Sequence, residues 1–283
     1  MKNFVIMTDS NCGMSPQEAK EKGVELVLMP FLVDDNEFFE FGELSYEGFF
    51  EKMARGADVK TSQPSPADVT NAWEKALEYA EKIVYIPMSS SLSSSCDTAC
   101  VLAEDYNGRV LVVDNKRISI NLRNAVEDAI KCREEGLDAE GTVEYLNSTA
   151  DETDIYVAVN TLEYLKKSGR VTPAGAAIGS LLGIKPVLRI HGGKLDAYKK
   201  VRGMATAMST MLDAVEEYRN ECLNGEKITI RAAYSGSKEQ GELWQQKVAE
   251  RFPDMEIGLD PLPISISCHV GPDALGIGIS KIR

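Results

Sequence analysis

The first half of the chain alternates short runs of apolar, β-prone residues with longer stretches of helical periodicity. The apolar runs Phe4–Thr8, Val24–Val33, Ile83–Pro87 and Val110–Asp114 predict strands. Regular alternation of strands with helices is typical of a sheet of parallel strands covered by helices. The pattern therefore predicts an α/β layer in this half.

Two stretches beside these strands place apolar residues three and four positions apart, which predicts helices with one buried stripe each. The first stripe consists of Val69, Ala72, Trp73, Ala76, Leu77 and Ala80. The second consists of Ile118, Leu122, Ala125, Val126, Ala129 and Ile130. We expect both helices to pack on the sheet.

The pattern changes near Asp151, where a strand (Ile155–Asn160) and a short helix ending at Gly169 precede a Gly/Ala-rich segment, Pro173–Gly183. The β-like runs Ile184–Ile190 and Lys194–Arg202 flank Gly192-Gly193, which predicts a hairpin. The remaining predicted elements are a Met-rich helix from Met204, a strand Ile228–Tyr234, a helix Lys238–Phe252 and two final β runs. The 283 residues fit two domains, with a boundary near residues 150–160.

Composition and charge exclude several classes of protein. The chain carries 31 basic and 44 acidic residues, a net charge of −13, so its average surface repels nucleic acids and anionic membranes. The first apolar run is too short for a secretory signal, and no run approaches the roughly 18 residues of a membrane span. The six cysteines form no C-x-x-C and no zinc-like cluster. We expect a cytoplasmic protein with reduced thiols, no metal and no transmembrane segment.

The charge is reversed locally between Tyr164 and Arg202. This window contains nine basic residues against Asp196 alone, a local charge of +8, and the rest of the chain therefore carries −21. A charge run is usually a solvated face, but this concentration favours docking of an anion or an acidic partner. Only two tyrosines are interleaved with the basic residues, so stacking of nucleic-acid bases is not expected.

Polar runs follow the early strands at Thr8–Ser10, Thr61–Pro66 and Ser89–Ser95. The carboxyl ends of strands in an open α/β sheet converge on one crevice, where hydroxyls and helix N-termini can bind an anionic group. Helix capping is the alternative role, but it explains one residue per helix rather than seven in a row. We predict ligand contact at Ser93 or a neighbour, and consider Thr61 and Ser62 as further contacts.

His269 lies beside Gly271-Pro272, a turn that predicts an accessible loop position for the imidazole. His191 is expected to be structural. The chain contains neither G-x-x-x-x-G-K-[ST] nor G-x-G-x-x-G, and neither G-x-S-x-G nor H-E-x-x-H. A catalytic Ser93–His269 pair stays open as an alternative, because spatial neighbours need not be neighbours in sequence.

Seven motifs together resemble one family over essentially the whole chain. They are Thr8-Asp9-Ser10, Thr61-Ser62-Gln63-Pro64-Ser65-Pro66, Leu92-Ser93, Leu162–Val171, Lys185-Pro186-Val187-Leu188, Lys200-Val201-Arg202 and His269-Val270-Gly271-Pro272. Their order and spacing resemble the DegV family, which includes the fatty-acid-binding (FakB-like) subunit of bacterial fatty acid kinase. No single motif is specific to the family, and the resemblance depends on the order and spacing of all seven.

The resemblance implies a two-domain α/β fold, with an N-terminal parallel-sheet domain at 1–155 that carries the head-group loops. A C-terminal α/β domain with a mixed sheet and the basic patch is expected at 156–283. One long-chain fatty acid would lie in a buried apolar tunnel, with no other cofactor. Its carboxylate would be bound by Thr61, Ser62, Ser93 and His269.

Arg170 and Arg202 would face the ATP-binding subunit of the kinase, and the chain itself would contain no catalytic residue. Transient contact with a membrane surface is compatible with this role. Two positions depart from the family pattern: Ser94 replaces a glycine beside the head-group site, and Asp273 adds a carboxylate near His269. The alternatives are a lipid esterase or acyl transferase that uses Ser93 and His269, and a lipid-sensing regulatory module.

Overall fold

The structure is a computed structural model that describes residues 2–170 and 183–283. Its strands are β1 (Lys2–Asp9), β2 (Val24–Val27), β3 (Pro30–Val33), β4 (Asn36–Phe39), β5 (Val59–Thr61), β6 (Ala80–Ile86), β7 (Val110–Val112), β8 (Thr153–Ala158), β9 (Ile184–His191), β10 (Lys194–Arg202), β11 (Ile228–Tyr234), β12 (Gly258–Pro261) and β13 (Leu275–Lys281). Its helices are α1 (Pro16–Lys22), α2 (Tyr46–Ala54), α3 (Pro66–Leu77), α4 (Ser95–Ala103), α5 (Ser119–Glu134), α6 (Ala139–Ser148), α7 (Glu163–Ser168), α8 (Met204–Glu221), α9 (Lys238–Arg251) and α10 (Ile264–Val270). None of these described helices is long and apolar enough to cross a membrane.

The N-terminal half contains a parallel sheet with the strand order β2-β1-β6-β7. Successive side chains of a strand point to opposite faces, so a strand buried on both faces is apolar throughout. Val5 and Met7 of β1 pack with α3, whereas Phe4 and Ile6 pack on the other side with α5. This double burial confirms the predicted α/β layer.

The C-terminal half is built on a mixed sheet with the order β10-β9-β8-β13-β11-β12. β11 and β12 pair in parallel, whereas the other neighbours in this order are antiparallel. β9 and β10 form the predicted hairpin, with Gly192 and Gly193 in the turn at φ values of +56° and +78°. The sheet begins at Thr153, and a domain division at residue 155 stays a prediction.

Helix α5 lies between the two sheets and is buried well beyond its predicted stripe. Asn121 Nδ2 donates to the carbonyl oxygen of Asp154 at 3.0 Å, and Asn124 Nδ2 donates to Ser280 Oγ at 3.1 Å. Buried polar groups need such partners, so these bonds attach the helix to the mixed sheet. The close approach requires glycine in β13, because a Cβ at Gly278 would lie 2.5 Å from Asn121 Oδ1.

Three local predictions were wrong or incomplete. The run Val24–Val33 forms two strands, β2 and β3, which belong to different sheets. Ala80 begins β6 rather than extending the preceding helix. The three-stranded sheet β4-β3-β5 was not predicted, because it is completed by pairing between Phe31 and Thr61, 30 residues apart. The segment Pro173–Gly183 falls, up to residue 182, outside the described residues.

Candidate functional site

A cavity of about 290 Å³ lies where the two large sheets face each other. The N-terminal half contributes Thr61 at the end of β5 and residues that follow β1, β2, β5, β6 and β7. The C-terminal half contributes residues of β8, β9, β10, α7 and α10. Its apolar lining includes Ile118, Val157, Leu165, Ile190, Leu195 and Ile266. Its polar lining includes Asn11, Thr61, Ser62, Ser93, Ser265 and His269. The cavity therefore joins an apolar interior to a cluster of hydrogen-bonding groups.

The structure brings the four predicted head-group residues together. Thr61 is the last residue of β5, and Ser62 follows it directly. Ser93 precedes α4, and His269 lies in the last turn of α10. All four line the same cavity although they are separated by up to 208 positions in the sequence.

His269 is half-buried on helix α10, which corrects the prediction of an accessible loop. Its Nε2 lies 3.0 Å from Thr61 Oγ1, and its buried Nδ1 has no hydrogen-bond partner among the residues that the structure describes. If Nε2 donates to Thr61, the Thr61 hydroxyl keeps its own proton to donate. If Nε2 accepts, the imidazole carries its proton on Nδ1. The pair thus offers one free donor in either tautomer.

Burial lowers the pKa of His269 to about 4, and the positive charge of Arg170 acts in the same direction. The imidazole is therefore neutral at pH 7. Hydroxyl and neutral imidazole donors can satisfy a carboxylate without adding a permanent charge to the cavity.

The serines of the run Ser89–Ser95 have different roles. Ser89 Oγ donates to Gly193 O at 3.3 Å, and Ser90 Oγ donates to Asp114 Oδ2 at 2.5 Å, so both hold the loop in place. Ser93 Oγ accepts the backbone N–H of Ser95 at 3.2 Å. In the described part of the chain, the Ser93 hydroxyl proton has no acceptor, which leaves it free for a ligand.

Arg170 and Arg202 do not occupy equivalent positions. Arg170 is exposed and also lines the cavity, where its Nε donates to Leu92 O at 3.1 Å across the gap between the two halves. Arg202 is exposed at the far end of β10, seven residues beyond the lining residue Leu195. Arg170 is thus part of the cavity mouth, and Arg202 belongs to the outer surface.

The local charge of +8 overstates the number of free cations. Arg189 donates through Nε to the buried carboxylate of Asp154 at 2.8 Å, on the sheet face opposite the cavity. Lys167 forms an ion pair with Asp58. Part of the basic window therefore has structural partners.

The two departures from the family pattern have local explanations. Ser94 has φ −70°, an ordinary helical value, so this position does not require glycine here. Asp273 has φ +58°, and its Oδ2 accepts a hydrogen bond from Asn160 at 3.2 Å. Aspartate tolerates the left-handed region better than most residues. Burial and Arg170, rather than Asp273, shift the pKa of His269.

Sequence reasoning missed a buried polar network at the polar end of the cavity. Asn11 Oδ1 accepts from Ser265 Oγ at 2.9 Å, and the backbone N–H of Asn11 donates to Asp9 Oδ1 at 3.0 Å. Burial raises the pKa of Asp9 to about 6, against hydrogen bonds from Met88 and Asn11 that lower it. The motif Thr8-Asp9-Ser10 was a signal for this region, but its partner Ser265 was not predictable locally.

The geometry does not favour a catalytic serine. The hydrogen bond of the His269 ring goes to Thr61, and no carboxylate orients its Nδ1 among the residues described. Nucleophilic catalysis by serine requires a base within hydrogen-bond reach of the hydroxyl and a group that orients this base. Over residues 2–170 and 183–283, no group of His, Cys, Asp and Glu could hold a metal ion.

Comparison with known proteins agrees with this architecture. The DegV family model matches residues 3–281. A DegV domain-containing protein of Deinococcus radiodurans is 29% identical over 281 residues, which cover 99% of each chain.

Two solved structures share the fold. A DegV family protein from Thermus thermophilus, described by its fatty acid binding, has a TM-score of 0.90 and 28% identity, and the match covers 99% of this chain and 100% of that one. A stearic-acid-binding protein from Eubacterium ventriosum has a TM-score of 0.88 and 22% identity, with 99% and 98% covered. The chain therefore belongs to the DegV family.

Proposed function

We propose that this protein binds a long-chain fatty acid in the cavity between its sheets and presents the carboxylate to a separate ATP-binding kinase subunit. The observation that carries the proposal is one cavity with an apolar interior and a cluster of uncharged donors, in a chain similar to the fatty-acid-binding protein of Thermus thermophilus. Thr61, Ser62, Ser93 and His269 would bind the carboxylate, and the acyl chain would lie against Val157, Ile190 and Leu195.

The energetics support tight retention of the acyl chain. Burial gains about 0.8 kcal/mol per methylene, so a chain of about 16 carbons gains on the order of 12 kcal/mol before ordering costs. The carboxylate must then be hydrogen-bonded, because burying an unpaired charge is strongly unfavourable. The free proton of Ser93 and that of the Thr61–His269 pair supply two donors at this point.

The first experiment tests fatty acid binding. The protein is purified from cells without detergent and denatured, and the released lipid is quantified by mass spectrometry. We expect about one long-chain fatty acid per chain, as burial of the acyl chain predicts. Protein that is empty as isolated and stays empty after refolding with palmitate would refute the proposal. His191→Gln serves as the control, because His191 does not line the cavity.

The second experiment tests delivery to a kinase. The chain contains neither a G-x-x-x-x-G-K-[ST] loop nor a G-x-G-x-x-G loop for nucleotide phosphates, so ATP would come from the partner. Loaded protein, labelled ATP and the fatty acid kinase subunit of the same genome should yield acyl phosphate. Arg202→Gln should lower this rate and leave fatty acid binding unchanged, whereas Lys247→Gln, an exposed change on α9, should alter neither.

Three results would point elsewhere. Acyl phosphate formation without the partner would refute a carrier role. A pull-down that recovers a different stable complex would favour a lipid-sensing module. Hydrolysis of chromogenic acyl esters by the wild type and not by Ser93→Ala would favour an esterase.

A further inference from the structure

Helix α10 supplies several lining residues at the polar end of the cavity, but its N-cap residue makes no side-chain hydrogen bond to it. It supplies Ser265, Ile266, His269 and Val270 to the lining. The helix has seven residues, and Pro263 at its N-cap position provides no side-chain hydrogen bond. An isolated helix this short is not stable in water. Contacts from elsewhere must therefore set its position.

Glu40, from the segment after β4, supplies the missing cap. Its side chain is buried, with 3% exposure, and Oε1 accepts the backbone N–H of Ser265 at 2.7 Å. Burial raises the pKa of Glu40, whereas hydrogen bonds from Ser265 and Ile264 lower it. The backbone N–H of Glu40 donates to the carbonyl oxygen of Met29, a lining residue, at 3.1 Å. Glu40 is thus anchored to the N-terminal half while it holds a helix of the C-terminal half.

The capped residue belongs to a chain of hydrogen bonds around the cavity. Ser265 Oγ donates to Asn11 Oδ1 at 2.9 Å, and Asn11 N donates to Asp9 Oδ1 at 3.0 Å. Asp9 Oδ2 accepts from Met88 N at 2.7 Å. At the other end of the helix, His269 meets Thr61. A shift of α10 would therefore disturb both the Ser265–Asn11 and the His269–Thr61 hydrogen bonds.

We propose that Glu40 is a positioning residue of the head-group site: its carboxylate fixes α10 so that Ser265 meets Asn11 and His269 meets Thr61. Glu40 does not line the cavity and acts through the N-terminus of the helix. Its effect on ligand affinity rests on the proposed fatty acid binding. Its effect on His269 does not depend on any ligand.

The first measurement uses the unliganded protein and the ¹⁵N resonances of the imidazole rings. The chain has two histidines, so His191→Gln assigns the signals. Glu40→Ala removes the acceptor, and Glu40→Asp withdraws it by one methylene. Both should shift the His269 signals, because the bond to Thr61 is displaced, and leave those of His191 in place. Glu40→Gln retains an acceptor oxygen and should restore the wild-type signals.

The second measurement is the binding of labelled palmitate. Glu40→Ala and Glu40→Asp should weaken binding by about tenfold or more, and Glu40→Gln should retain most of the affinity. Val248→Ala is the control: it removes core volume on the far face of the mixed sheet and should lower stability without weakening binding.

The outcomes separate the two proposals. If Glu40→Ala does not fold, the comparison of Glu40→Gln with Glu40→Asp decides whether Glu40 positions the helix. Unchanged His269 resonances in Glu40→Asp, together with wild-type affinity, would overturn the positioning role. If wild-type protein binds no palmitate, the proposed function fails, and the resonances alone decide the role of Glu40.

Discussion

Two ionisable groups beside the cavity have pKa values shifted in opposite directions, and this makes a sharp prediction about acid stability. Burial lowers the pKa of His269 from 6.5 to about 4 and raises that of Asp9 from 3.8 to about 6. The perturbation is a fall in pH from 8 to 5. Both groups change their contribution to folding within this window.

The signs follow from which state binds more protons. Folded His269 binds fewer protons than unfolded His269 between pH 4 and 6.5, so its stabilisation is present above pH 6.5 and is lost as pH falls towards 4. Folded Asp9 binds more protons than unfolded Asp9 between pH 3.8 and 6, so acidification stabilises the fold through this group. At pH 5, relative to pH 8, the two contributions are about −2 and about +1.4 kcal/mol, and they largely cancel.

The assay is urea unfolding of the wild type, His269→Gln and Asp9→Asn at several pH values between 5 and 8. The other carboxylates are common to all three proteins, so the difference curves isolate the two groups. The stability of the wild type relative to His269→Gln should fall by about 2 kcal/mol from pH 8 to 5. Relative to Asp9→Asn, it should rise by about 1.4 kcal/mol.

A flat difference curve for His269→Gln would show that the imidazole is solvated, and would refute a neutral, half-buried donor at the proposed head-group site. A flat curve for Asp9→Asn would show that the Asp9 carboxylate ionises normally. Because slopes rather than absolute stabilities are compared, a constant destabilisation of either variant does not affect the result.

Three further predictions concern the turn after α10, the proposed head-group contacts, and Leu195, against which the acyl chain is proposed to lie. Gly271→Ala should destabilise the fold by about 2–4 kcal/mol in urea unfolding, since φ is +74° and the new Cβ would lie 2.5 Å from the Tyr164 ring. The control Gly108→Ala has a similar φ of +77° but places its Cβ in open space, so it should destabilise the fold by only about 1 kcal/mol. Ser93→Ala should preserve stability and weaken palmitate binding by about tenfold; equal affinity would remove Ser93 from the site. Leu195→Trp should shorten the bound acyl chains, as measured by mass spectrometry. An unchanged distribution of chain lengths would show that the acyl chain does not lie against Leu195.

Much of the secondary structure was predictable because it follows from local periodicity. The strand Ile228–Tyr234 and the β9–β10 hairpin agree with their predicted limits to within a residue. The split of Val24–Val33 was not predictable, since its two halves pair with different strands: β2 pairs with β1, whereas β3 pairs with β4 and with β5. The helical position of His269 was unpredictable for the same reason, because it depends on long-range packing. The Gly-Pro turn is real, but tertiary packing extends a helix up to it.

The α/β layering, the family and the residue types of the proposed head-group cluster could be read from the amino-acid sequence, because each is recorded in periodicity or in motifs a few residues long. Three features became visible in the folded chain alone: His269 meets Thr61, Arg170 lines the cavity whereas Arg202 does not, and Glu40 caps the helix carrying Ser265. These contacts join residues 78 to 225 positions apart. Their geometry depends on how the two sheets face each other, and no local pattern encodes that arrangement.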